Sequence, residues 1–124
     1  MNFLLTGGAG YIGSHAALSL LDAGHNVHII DDLSTGNESL IPKNAFFTKC
    51  NINDEEVISE LIKSNSFDLL MHFAGFIQVE ESVKYPKKYF ENNTNNSVKL
   101  FENCFENNIK NIIFSSTAAV YGNQ

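Results

Sequence analysis

"LLTGGAGYIGSH", running from Leu4 to His15, sets Gly7, Gly8, Gly10 and Gly13 between a short apolar run and a stretch of helical periodicity. Glycine inside regular structure costs roughly 0.5–1 kcal/mol relative to alanine, so this density needs a compensating use. The flanks supply one. Asn2 to Thr6, "NFLLT", reads as a buried strand. From Tyr11 onward, Ile12, Ala16, Leu20 and Ala17, Leu21 recur at helical spacing, and Gly24 stands where a left-handed residue would stop the helix. A glycine-rich turn that follows a strand and opens a helix gathers backbone N–H groups at the positive end of the helix dipole. Such a point binds phosphate. Gly8-x-Gly10-x-x-Gly13 and Gly7-x-x-Gly10-x-x-Gly13 both fit a dinucleotide loop, and the spacing does not choose between them.

Outward from that turn the same alternation repeats. "NVHIID" predicts a second strand, "DLSTGNESLIPKN" a loop holding one helical turn, and "AFFTK" a third strand. "NDEEVISELIKSN" predicts a helix with an Asn/Asp cap, acids in its first turn, and Val57, Ile58, Leu61 and Ile62 along one side. "FDLLMHFAG" is a fourth strand. Pro86 then suits the first turn of a long helix carrying Tyr89, Asn93, Ser97, Leu100 and Cys104, and "NIIFSS" is a fifth strand. Strands that are apolar on both faces and alternate with helices predict an α/β fold, a parallel sheet covered on each side. Right-handed crossovers favour a Rossmann-type doubly wound sheet in the order 3-2-1-4-5, with residues 1–124 forming one domain.

The second strand ends in Asp31, eighteen residues after Gly13, where a carboxylate accepts hydrogen bonds from an adenosine ribose. An acid there repels a 2′-phosphate, so the expected cofactor is NAD rather than NADP. A net charge of −6 and a pI near 5.0 argue against a nucleic-acid or anionic-membrane surface. The apolar runs are shorter than the ~20 residues of a membrane span, and no basic flank marks a signal peptide. A cytoplasmic location is the default expectation. Cys50 and Cys104 show no CxxC or metal spacing and read as ordinary core thiols in a reducing compartment. His15, His25, His28 and His72 form no metal-binding motif.

"TGGAGYIGSH", "DDLSTGN", "HFAGFIQVEESV", "ENNTNN" and "FSSTAAVYG" follow one another in the order found in the extended short-chain dehydrogenase/reductases. The chain resembles the N-terminal part of that family's UDP-glucose/UDP-galactose 4-epimerases over essentially its whole length. The resemblance implies a bound NAD that takes a hydride from C4 of a UDP-hexose and returns it to the opposite face. It implies pyrophosphate on Gly7, Gly10, Tyr11, Ile12 and Gly13, ribose on Asp31 with Asp32 and Ser34 nearby, and adenine beside Asn51 and Ile52. It further implies that Phe73, Ala74, Gly75, Asn92 and Ser115 line the cofactor, and that Thr117 bonds the reacting C4 oxygen. The implied substrate is a UDP-hexose. No nucleic-acid or membrane partner is implied, and a homodimer is one assembly left open.

The chain departs from the family pattern in three places. Asn51 replaces an aspartate, so its side-chain oxygen would accept from the adenine amine without charge. Ile77 stands where many members have a lysine, and Gln78 does not replace that charge. The Tyr-x-x-x-Lys pair that supplies the family's general base falls beyond Gln124, and Tyr121 is not that tyrosine. The chain therefore reads as a partial cofactor-binding domain, with the substrate domain missing, expected to turn over no UDP-hexose alone. Other nucleotide-sugar epimerases, a 4,6-dehydratase and a non-catalytic NAD-binding module remain as alternatives. Ala118 and Ala119, where dehydratases carry an acidic pair, weigh against dehydration.

Overall fold

Residues 1–33, 36–73, 96–109 and 111–114 are described by the computed structural model of the chain. Among them lie the strands β1 (Asn2–Thr6), β2 (Asn26–Asp31), β3 (Phe46–Lys49), β4 (Leu69–His72) and β5 (Ile112–Phe114). The helices are α1 (Tyr11–Asp22), α2 (Glu55–Ser64) and α3 (Asn96–Glu106), with a 3-10 turn at Glu38–Leu40. The strands form one sheet in the expected order, β3-β2-β1-β4-β5, and every pairing in it is parallel. Tyr89, Asn93 and the segment around Pro86 lie outside the described residues.

β1 sits at the centre because its residues can be buried on both sides. Phe3 and Leu5 join Val27, Ile29 and Ala17 beneath α1. Leu4 points the other way, into a core of Ile30, Leu70, Ile52, Ile58, Ile62, Leu100, Cys104 and Ile109 under α2 and α3. Each large side chain removed from water in this way contributes about 1.5–3 kcal/mol. The expectation that every strand is covered on both faces fails at the edges. Phe46 on β3 and Ile113 and Phe114 on β5 are exposed, because a strand with one neighbour has less of the helical layers above it.

Local chemistry ends the helices where the sequence indicates. Gly24 takes a φ of 90°, and α1 closes with Gly24 N–H donating to Leu21 and His25 N–H to Leu20, a Schellman arrangement. Asp54 caps α2 by accepting from Val57 N–H at 3.3 Å, with Glu55 and Glu56 in the first turn and Lys63 in the last. Two apolar positions face differently from their periodicity. Ile12 and Val57 are exposed, and burial falls instead on Gly13, Ser14 and Ala17 of α1 and on Ile58 and Ile62 of α2. Both exposed residues belong to a first helical turn, which projects past the core. Cys104 is fully buried, whereas Cys50 is only half-buried, and burial raises their thiols to about 12 and about 11.

A buried histidine stands at the α2/α3 side of the sheet with two buried hydroxyls. His72 is 1% exposed, and its ring bonds the Thr6 hydroxyl through Nδ1 and the Ser97 hydroxyl through Nε2, the latter at 2.8 Å. Burial lowers its pKa to about 4, so the folded ring is neutral where a solvated histidine, near 6.5, becomes charged. Between those values the unfolded chain binds a proton that the folded chain refuses. Stability is therefore full above about pH 6.5 and falls as pH drops toward 4, by up to about 3 kcal/mol from this group alone. Urea melts at a series of pH values should show this slope in the native chain, and the non-titrating His72→Asn variant should lose that share of it.

Candidate functional site

The strand order reverses at β1, which pairs with β2 on one side and β4 on the other. In open α/β sheets the ligand crevice lies outside the carboxyl ends of the strands at such a switch point. The glycine turn begins there. Gly7 adopts a φ of 72°, a left-handed value that a side chain disfavours, and its N–H donates to the Ile30 carbonyl at 2.8 Å. The chain then turns so that Gly10 N–H donates to the Gly7 carbonyl at 3.1 Å and α1 starts at Tyr11.

The four glycines do different jobs. A Cβ on Gly13 would overlap the Gly7 carbonyl, so α1 approaches the strand end only because Gly13 lacks one. A Cβ on Gly8 would stand 2.5 Å from Ile29 Cγ2. Gly10 is different: its φ of −81° and ψ of 173° suit any residue, and the nearest atom to an added Cβ is 3.4 Å away. Nothing among the described residues demands glycine there. The missing side chain leaves bare backbone at the head of α1, where no side chain caps the helix and no acid occupies its first turn. The first amides of a helix have no partner within it, and here they face the turn as donors for an anion. Tyr11 and Ile12 are exposed at this mouth, Tyr11 edge-on to His15.

Asp31 links the turn to the end of β2. Its Oδ2 accepts from Ala9 N–H at 3.0 Å and its Oδ1 from Leu33 N–H at 2.7 Å. The second bond holds Leu33 at a φ of 63°, a conformation costing of order 1–3 kcal/mol for a residue with a side chain. Each carboxylate oxygen keeps a further lone pair for a ligand. Beside it, Asn51 Nδ2 donates to Asp32 Oδ2 at 2.9 Å, and Asn51 Oδ1 accepts from Asn53 N–H at 2.8 Å. Asn51 is thus anchored at both ends of its amide. Ile52 is 6% exposed and packs into the core below. Phe73 directly follows β4, its N–H donating to the Thr6 carbonyl at 2.9 Å.

Gly7, Gly10, Tyr11, Ile12, Gly13, Asp31, Asp32, Asn51, Ile52 and Phe73 therefore all stand at or behind the carboxyl end of the sheet. Ser34, Ala74, Gly75, Asn92, Ser115 and Thr117 lie outside the described residues, as do Ile77 and Gln78. Sequence reasoning missed the Gly36–Asn37 backbone. Asn37 N–H donates to the Ala9 carbonyl at 2.9 Å, and a Cβ on Gly36 would stand 2.9 Å from that of Ala9. The only signal was a glycine inside a polar loop. Among the described residues no group of three or more His, Cys, Asp or Glu could hold a metal, and no helix is long and apolar enough to cross a membrane.

Residues 3–124 match the model of the NAD dependent epimerase/dehydratase family. The chain is 46% identical over 119 residues to a UDP-glucose 4-epimerase of Azospirillum brasilense, covering 96% of this chain and 34% of the relative. It is 40% identical over 128 residues to UDP-arabinose 4-epimerase 1 of Arabidopsis thaliana, covering 96% and 30%. Among solved structures, the UDP-glucose 4-epimerase of Stenotrophomonas maltophila, with bound NAD and formylated UDP-arabinopyranose, superimposes with a TM-score of 0.91 at 37% identity. That match covers 100% of this chain and 39% of the other. The chain thus spans about a third of the length of the relatives it matches.

The unequal roles of the glycines can be measured. Gly13→Ala should cost about 1–3 kcal/mol in a urea melt, since backbone must move to admit the methyl group. Gly10→Ala should stay within about 0.5 kcal/mol of the native chain, as an unstrained surface position does.

Proposed function

The chain belongs to the NAD dependent epimerase/dehydratase family, and from that premise we propose that it is the NAD-binding part of a 4-epimerase interconverting UDP-glucose and UDP-galactose by transient oxidation at C4. The observation that carries the cofactor reading is the bare Gly10 backbone at the head of α1, set across the turn from the Asp31 carboxylate. A side chain would fit Gly10 and is absent, which suits the close approach of a pyrophosphate. When bound, NAD supplies the acceptor and donor of the hydride at C4.

The residues of the chain hold it in place. The amides of Tyr11, Ile12 and Gly13 bind the pyrophosphate at the positive end of α1. Asp31 accepts the ribose hydroxyls on its remaining lone pairs, and its charge opposes a 2′-phosphate. Asp32 and Ser34 flank that ribose, and the second lone pair of Asn51 Oδ1 takes the adenine amine above Ile52. Phe73, Ala74, Gly75, Asn92 and Ser115 line the rest of the cofactor. Thr117 bonds the C4 oxygen as its proton moves, while the Tyr-x-x-x-Lys base comes from beyond these residues. The substrate is a UDP-hexose. A 4-epimerisation of a UDP-pentose is the second reading, favoured by the similarity to the arabinose enzyme. Assembly as a homodimer and a cytoplasmic location accompany the main reading.

Calorimetric titration tests the cofactor directly. NAD should bind more tightly than NADP, and Asp31→Ala should weaken NAD by about 1.5–3 kcal/mol, the scale of a charged hydrogen bond, while narrowing the gap to NADP. Equal binding of the two cofactors by the native chain would refute the assignment.

A chimera tests the chemistry. With these 124 residues in place of the matching part of the Azospirillum relative, UDP-galactose should turn over, and faster than a UDP-pentose. In that chimera Thr117→Val should lower kcat on the order of a hundredfold with little change in KM, because the hydroxyl acts in the transition state. A preference for the pentose would favour the second reading.

A further inference from the structure

Among the described residues, His72 is the one buried titratable side chain at the sheet's carboxyl end that the proposed chemistry leaves unused. Its position is specific. Thr6 and His72 are the last register pair of the β1/β4 ladder, and that ladder is the switch point of the sheet. The glycine turn leaves β1 one residue later, and Phe73 leaves β4 one residue later. Thr6 is fully buried, His72 and Ser97 are nearly so, and the ring lies edge-on to Phe101 and tilted against Phe114, which itself meets Phe101 edge-on. An apolar side chain would fill this space more cheaply, since a buried polar group stabilises only when every partner is supplied. Here both partners are supplied. The neutral ring, kept so by burial, carries a single N–H and so donates through one nitrogen and accepts through the other.

We infer that Thr6, His72 and Ser97 form a lock beneath the crevice, in which His72 is a positioning residue that fixes the ends of β1 and β4 against α3. The function follows from direction. Hydrophobic attraction is non-directional, whereas two hydrogen bonds to one rigid ring set distance and angle among three elements. The glycine turn and the segment after Phe73 then leave the sheet from fixed points, and a ligand spanning them meets a preorganised site. The link from lock to ligand rests on the cofactor reading above.

Amide exchange of the ligand-free chain tests the lock without any cofactor. In Thr6→Val and His72→Leu, the Phe73 and Gly7 amides should exchange at least about tenfold faster than in an Ile62 variant matched in Tm, with the β2 and β3 amides unchanged against that control. NAD titration tests the consequence. Kd should rise about tenfold in Thr6→Val and His72→Leu and severalfold in Ser97→Ala, while the Ile62 control stays within about twofold of the native chain. His72→Asn, whose amide keeps a polar atom facing Thr6, should recover most of the affinity lost in His72→Leu. Affinities that follow Tm alike in every variant, or no recovery by asparagine, would overturn the inference. If the native chain binds no NAD, the cofactor reading fails by itself, and exchange decides the lock: local acceleration sustains it, uniform acceleration removes it.

Discussion

Gly13 rests its backbone against the carbonyl of Gly7, at a place where a side chain has no room. That contact sets how closely α1 approaches the end of β1. It points the first amides of the helix toward the switch point of the sheet, and it places Ala17, one turn on, against Phe3, Leu5, Val27 and Ile29. A longer separation would move the helix dipole from the crevice and open the α1 side of the core together. Packing of α1 and placement of its N-terminus are one constraint, because the same glycine sets both.

The carboxyl edge is polar and yet internally satisfied. Among the described residues no buried side-chain nitrogen or oxygen lacks a partner. His72 meets Thr6 and Ser97 in the interior, while at the rim Asp31 meets Ala9 and Leu33, and Asn51 meets Asp32 and Asn53. An apolar rim would hold the loops by burial alone, which is non-directional. Hydrogen bonds fix both distance and angle, and at Asp31 each carboxylate oxygen has a second lone pair beyond the one its amide takes.

Asp31 shows how one side chain can serve the fold and, under the proposed cofactor reading, the site as well. Its two oxygens each spend one lone pair on a backbone amide, one from the glycine turn and one from the left-handed Leu33. These bonds orient the carboxylate before any ligand arrives. A ribose would then find an acceptor already aimed, with its rotamer entropy already lost in folding.

Composition and spacing determined the strand order, the helix stop at Gly24, the cap at Asp54 and a glycine turn between β1 and α1. All of these depend on residues within a turn or two of one another, or on general rules for connecting parallel strands. Tertiary structure decided the rest. The separate uses of the adjacent glycines, a left-handed φ at Gly7 and close packing of Gly8 against Ile29, arise only in the folded chain. Ile12 and Val57 turned outward although periodicity set them inward, since a helix end can overhang the core that its middle covers. The Ala9 to Asp31 bond joins residues 22 apart, and the Thr6 to His72 bond joins residues 66 apart. Neither is written in local spacing. They exist because the β1/β2 and β1/β4 registers bring those strand ends level, and register is a property of the assembled sheet, where one residue of slip would turn every side chain to the other face.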